Sequence, residues 1–258
     1  MKKEFLLKIF ENIVPAFKLI NGLAQLKPYK KGIYQARGEG DFEKERGFIL
    51  MCTTKWSAYI IKVFAIDLQV SGKENLPEKG PVVFAANHQG YGDIPITCAV
   101  LDKFQFGFVA KDTLTKVPYY GKWIRDIRSV FIKRDDPRES LKAIADGIAL
   151  IEKGFSLLVF PEGTRSKGGP VGEFKKGSLR LATKPGVPVI PITINGTHRI
   201  FEDNGYIKNG AKVSITIHPV IETKNMDKTE ANNLSAEVER IIKEGFYAGN
   251  MYQAEQDQ

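Results

Sequence analysis

The sequence predicts an α/β chain: a mostly parallel or mixed β-sheet covered by helices, preceded by an N-terminal amphipathic two-helix element. Three observations carry this. From about residue 68 onward, short β-rich apolar runs alternate with helical segments, the pattern of strands joined by crossover helices. One of those helices has a clear start and stop. Asp136 stands as N-cap with Pro137 at the first helical position, and Gly154 ends it. The first 26 residues carry an apolar stripe at helical rather than strand period.

The N-terminal stripe is Leu6, Ile9, Phe10, Ile13, Phe17, Ile20 and Ala24, with Lys8, Glu11, Asn12 and Lys18 opposite. Pro15 is expected to kink or divide this helix. The segment 27–46 is polar and rich in glycine and charge, and reads as a connector. A second helix is expected over about 47–66, with Phe48, Cys52, Trp56, Tyr59, Ile60 and Val63 as its apolar face. Two readings fit the pair. The helices pack on the main domain, or they form an interfacial anchor, since Lys2, Lys3, Lys8, Lys18, Lys27, Lys30 and Lys31 border the apolar face and suit an anionic surface. No apolar run approaches the ~20 residues needed to span a bilayer, and no secretory signal is recognised.

Beyond this element the strand candidates are 68–70, 82–86, 104–110, 130–133, 155–160, 189–194 and 212–217. The helix after Asp136 is expected to turn Leu141, Ile144, Ile148 and Ile151 inward. The boundaries drawn are 1–66 for the helical anchoring element, 67–250 for the α/β catalytic domain and 251–258 for a polar tail.

Composition narrows the chemistry. The formal net charge is +8 over 258 residues, which favours anionic partners: nucleic acid, lipid headgroups or phosphorylated substrates. Lysine and arginine are scattered among apolar runs without an aromatic–basic module, which speaks against nucleic acid. Cys52 and Cys98 have no metal-ligand spacing, and their use suits a reducing compartment. There is no Gly-x-Ser-x-Gly elbow, Walker loop, dinucleotide loop or His-Glu-x-x-His.

Two strand-end constellations remain. Asn87-His88-Gln89-Gly90-Tyr91-Gly92-Asp93 follows the run 82–86. The glycines allow a tight turn bringing Asp93 back to the imidazole. A carboxylate on one ring nitrogen fixes the tautomer and leaves the other as a general base. The same pattern also fits a surface histidine beside a helix-capping aspartate. Phe160-Pro161-Glu162-Gly163-Thr164-Arg165-Ser166 follows the apolar residues 157–160. It places a carboxylate beside a guanidinium suited to phosphate, or else forms a β-turn with a surface ion pair. His198 and His218 have no catalytic neighbours in sequence and read as structural or surface residues.

In this order and spacing the two constellations resemble the motifs of the glycerolipid acyltransferases, and among these the bacterial 1-acyl-sn-glycerol-3-phosphate acyltransferases. Lys111-Asp112-Thr113-Leu114, Val117-Pro118, Gly121 and Phe131-Ile132-Lys133-Arg134 are similar to that family's second motif. Val187-Pro188-Val189-Ile190-Pro191-Ile192 is similar to its fourth. The resemblance covers roughly 68–220. It implies transfer of a fatty acyl group from acyl-carrier protein or acyl-CoA to the sn-2 hydroxyl of 1-acyl-sn-glycerol 3-phosphate, making phosphatidic acid for phospholipid biosynthesis. His88 would be the base and Asp93 its orienting partner. Arg165, Lys111 and Arg134 would hold the phosphate, with Glu162 ordering the site through Arg165 or nearby amides. Gly163 and Thr164 would complete the substrate-binding turn. No metal or bound cofactor is implied. The expected setting is the cytoplasmic side of the cell membrane, as a peripheral or monotopic protein. The departure at Asp112-Thr113 keeps another lysophospholipid or glycerol 3-phosphate open as acceptor. A lipid-binding relative without turnover is the competing class.

Overall fold

The structure, a computed structural model, describes residues 2–133 and 135–256. Three helices come first: α1 (Lys2–Ala24), α2 (Lys27–Glu39) and α3 (Phe42–Val63). The α/β part then runs β1 (Asp67–Ser71), β2 (Val83–Ala86), α4 (Asp93–Val100), β3 (Phe106–Lys111), α5 (Tyr120–Asp126), β4 (Val130–Ile132), α6 (Pro137–Glu152), β5 (Ser156–Val159), α7 (Arg180–Thr183), β6 (Val189–Asn195), α8 (His198–Phe201), β7 (Lys212–Ile217) and α9 (Lys228–Gln256). All seven strand candidates are strands. The last helix continues into the stretch read as a polar tail.

The strands form one sheet in the order β1-β7-β6-β2-β5-β3-β4. β6, β2, β5, β3 and β4 are mutually parallel, and β7, antiparallel to β6, brings β1 with it. The central strands are buried on both faces, which is why they read as continuous apolar runs. Alternation divides them. Phe84, Phe106, Phe108 and Leu158 face a core shared with α2 to α5, while Val83, Ala85, Leu157 and Val159 face one shared with α6, α7 and α9.

The segment expected as a connector is α2, so the N-terminal element has three helices rather than two. Only Gly32, Ile33 and Ala36 of α2 are buried. That stripe is too narrow to register against its lysines. Gly32 lets the Phe48 ring approach so closely that a Cβ would stand 2.5 Å from it. Gly40, at φ 71, ends α2, and Asp41 caps α3 through the Lys44 amide. α1 is assigned as one helix through Pro15 and is not divided there.

α2 and α3 belong to the main core. Ile33, Ile49, Cys52, Trp56 and Ile60 pack in the same cluster as the sheet. Glu45 is fully buried and takes Arg37 together with both forks of Arg128, at 2.7 to 2.8 Å. α1 divides its surface. Leu23 is buried, while Ile13, Val14, Phe17 and Ile20 are exposed. No helix among the described residues is long and apolar enough to cross a membrane.

In α6 the cap at Asp136 and Pro137 forms as expected, and Gly154 adopts φ 87 just beyond the helix. Ile144, Ile148 and Ile151 pack inward as expected, with Ala143 and Gly147 buried beside them, whereas Leu141 is 60% exposed. Gly147 marks the closest approach of the helix. A Cβ on Gly147 would lie 2.5 Å from Leu181.

Candidate active site

Strand register assembles the site. Ala85 pairs with Val159, and Phe108 pairs with Leu158. The loops after β2, β5 and β3 therefore leave the sheet side by side at its carboxyl edge, where open α/β sheets bind ligands. His88 stands level with Glu162, and Lys111 stands one strand away.

Asn87 prolongs the β2–β6 ladder with its side chain. It donates to the Ile194 carbonyl at 2.9 Å and accepts from the Ile194 amide at 2.7 Å. The main chain is thereby free to turn away, and His88 follows at once. Asp93 is fully buried at the start of α4. One of its oxygens lies 2.5 Å from His88 Nδ1 and accepts from the amides of Gln89 and Gly90 at 2.8 and 3.1 Å. Its other oxygen accepts the Thr197 hydroxyl. With donors on every side, the carboxylate holds the imidazole proton on Nδ1 and leaves Nε2 for chemistry. The Phe160 ring stacks on the imidazole at 4.1 Å and 14°, fixing its plane.

Gly90 and Gly92 do not supply left-handed backbone here. They supply room: a Cβ on Gly90 would collide with the Glu202 carboxylate, and one on Gly92 would meet Ile200 at 2.5 Å.

Glu162 bonds amides rather than Arg165. One oxygen accepts from His88 N at 2.6 Å and the other from Gly172 N at 2.8 Å. Burial raises its pKa above the ordinary carboxylate value, while the Gly172 and His88 amides pull the other way. The loops are also joined by main chain, Ser166 N to His88 O at 2.7 Å and Lys167 N to Gln89 O at 3.1 Å. Gly163 adopts φ 71 and so favours glycine. Thr164 is exposed beside it. Arg165 lies 3.8 Å above the Tyr91 ring and donates to Glu202 at 2.8 Å. Lys111 is exposed at the end of β3. Arg134 lies outside the described residues.

His88, Asp93, Glu162, Gly163 and Arg165 thus come together, with Lys111 along the same edge. Three neighbours have no signal in either motif. Thr197 and Glu202 arrive from the turn after β6, and the Lys175 side chain lies against Gly163. The other histidines have polar partners, His198 with Asp203 and His218 with Thr193.

Residues 67–195 match the family model described as Acyltransferase. A 1-acyl-sn-glycerol-3-phosphate acyltransferase of Borreliella burgdorferi is 31% identical over 179 residues, covering 69% of this chain and 71% of that protein. A chloroplastic 1-acyl-sn-glycerol-3-phosphate acyltransferase of Arabidopsis thaliana is 38% identical over 67% of this chain and 48% of its own length. The chain spans about half the length of the chloroplastic relatives it matches. Among solved structures, the 1-acyl-sn-glycerophosphate acyltransferase PlsC from Thermotoga maritima superposes with a TM-score of 0.68 at 30% identity, over 88% of this chain and 95% of that one.

Proposed function

This chain belongs to the acyltransferase family, and on that premise we propose that it acylates the sn-2 hydroxyl of 1-acyl-sn-glycerol 3-phosphate from an acyl thioester, forming phosphatidic acid for phospholipid synthesis. The observation that carries the reading is the His88–Asp93 pair, which commits Nδ1 to a buried carboxylate at the carboxyl edge of the sheet.

Nε2 of His88 takes the proton as the acceptor oxygen attacks the thioester carbonyl. The tetrahedral intermediate collapses with cleavage of the C–S bond. The proton then passes from the imidazolium to the departing thiolate, giving the new ester and a free thiol. Direct transfer of this kind needs no serine or cysteine nucleophile. Cys52 and Cys98 are buried, and burial pushes both thiols above the ordinary range, Cys52 to about 11. Backbone amides of the turn at Gly163 are the proposed oxyanion donors. Gly163's own amide is engaged by the Phe160 carbonyl, which leaves the amides just beyond it.

Arg165, Lys111 and Arg134 are assigned to the acceptor's phosphate, and the donor is acyl-carrier protein or acyl-CoA. An acidic carrier protein complements the net charge of +8. Because the acceptor is an amphiphile held in a bilayer, the protein is assigned to the cytoplasmic membrane surface, with the exposed face of α1 as its contact. Ile13, Val14, Phe17 and Ile20 form a face that the rest of the described chain leaves open.

The deciding experiment supplies purified protein with 1-acyl lysophosphatidic acid and either acyl donor, and with glycerol 3-phosphate as the alternative acceptor. Phosphatidic acid and one equivalent of thiol are expected, and folded His88→Ala should be slower by ~10²–10⁴. Absence of turnover with both donors, or near-normal turnover in folded His88→Ala, would refute the assignment.

A further inference from the structure

The turn after β6 belongs to neither motif, and the family match ends at its threshold, residue 195. Its side chains nevertheless reach both motif loops. Thr197 is fully buried, and its hydroxyl donates to the Asp93 oxygen that His88 does not use. Glu202, its side chain 4% exposed, accepts from Arg165 and from the Tyr91 amide on one oxygen, each at 2.8 Å. Between them, Ile200 packs on Gly92 and the His198 ring lies against Gly168.

Asp93 can orient His88 only if its own plane is fixed. One carboxylate oxygen already holds the imidazole and two amides. The other would be buried without a partner, which is strongly disfavoured, unless Thr197 supplied its hydroxyl. That fourth donor prevents rotation of the carboxylate and so of the ring it holds. Arg165 poses the same problem in a longer and more flexible side chain. Stacking on Tyr91 sets its plane, and Glu202 takes one guanidinium nitrogen. The remaining N–H donors are left for an anion. Because the Glu202 oxygen also holds the Tyr91 amide, the guanidinium is referenced to the loop that carries His88.

We propose that the segment from Thr197 to Glu202 is a positioning element that sets the base and the phosphate clamp separately. Thr197 acts through Asp93 on the rate of transfer, and Glu202 acts through Arg165 on recognition of the acceptor's phosphate. Neither residue touches substrate. The inference rests on the acyltransferase reading given above.

The test combines steady-state kinetics on the full chain with proton NMR of the His88 Nδ1 proton. Near-isosteric Thr197→Val should lower kcat roughly 10- to 100-fold at unchanged acceptor KM. Thr197→Ser should restore it to within a few-fold. Glu202→Leu should raise the lysophosphatidic acid KM about tenfold, leaving the donor KM and kcat near wild type. Glu202→Gln, which keeps an acceptor oxygen, should restore that KM. The Nδ1 proton should exchange faster in Thr197→Val and be unchanged in Glu202→Leu. Loss of kcat and rise of KM together in both variants, in step with lost thermal stability, would overturn the proposal. So would a lower acceptor KM in both Glu202 variants, which would make the carboxylate a competitor of the phosphate. If the wild type acylates no acceptor while the Nδ1 proton still responds to Thr197→Val, the acyltransferase reading fails and the positioning role stands.

Discussion

The exposed face of α1 offers the most direct test of how the enzyme meets its substrate. Phe17 is 69% exposed and Ile13 is 54% exposed. Full burial of such a side chain contributes ~1.5–3 kcal/mol, so seating the exposed fractions of these two in lipid contributes about 2–4 kcal/mol. At about 1.4 kcal/mol per decade, replacing both with aspartate should weaken vesicle partitioning by roughly 30-fold or more. Aspartate would also repel anionic lipid, adding to that loss. The same exposures predict that the fold survives. Neither residue is in the core, whereas Leu23 near the end of the same helix is 8% exposed, so Leu23→Asp should lower thermal stability sharply. The assay is co-sedimentation with anionic vesicles at low and high salt, with thermal unfolding as control. The double variant should stay folded, leave the vesicles, lose activity on bilayer-held acceptor and keep activity on a dispersed short-chain acceptor. Co-sedimentation at wild-type levels would refute the contact assigned to α1. Deleting residues 1–66 is a poor substitute, because α2 and α3 would leave the core with it.

Arg165→Ala should raise the KM for a phosphate-bearing acceptor ~10- to 100-fold, more than that for the donor, since a hydrogen bond to a charged group contributes ~1.5–3 kcal/mol. Lys111→Ala should show the same bias more weakly, being exposed at a strand end; equal effects on donor and acceptor would remove both from the phosphate site. Glu45→Leu should destabilise by about 3 kcal/mol in denaturant unfolding, the low end for a broken buried pair because Arg37 and Arg128 keep 28% and 24% of their side chains in solvent; a loss under about 1 kcal/mol would mean that the helical element is not tied down through this carboxylate. Burial holds the His218 pKa below the ordinary imidazole range. The unfolded chain therefore takes up the proton first as pH falls through the ordinary imidazole range, and the stability this neutral ring contributes above that range is lost from there downward. His218→Gln should flatten the fall in unfolding temperature over that interval, and an unchanged slope would contradict the assignment.

The sequence by itself determined the sheet and the positions of its working loops. The central strands are buried on both faces and read as apolar runs, while β1 and β7 alternate with period two, so each of the seven announced itself as a short run bounded by turn residues. His88 and Glu162 follow such runs directly, and parallel pairing then forces their loops onto one edge. The cap and stop of α6 were legible for the same reason, because Asp136, Pro137 and Gly154 act within a few residues of themselves. What only the tertiary structure decided involves partners far apart in the chain. α2 is a helix because its narrow stripe packs on α3 and Phe48, while its composition alone reads as connector. Leu141 is left in solvent while Ile144 and Ile148, which share its helical period, are covered by the core. Thr197 reaches Asp93 across 104 residues and Glu202 reaches Arg165 across 37. Neither contact leaves a local period or spacing, since the hydrogen bond forms only after β6 has delivered its loop beside those of β2 and β5.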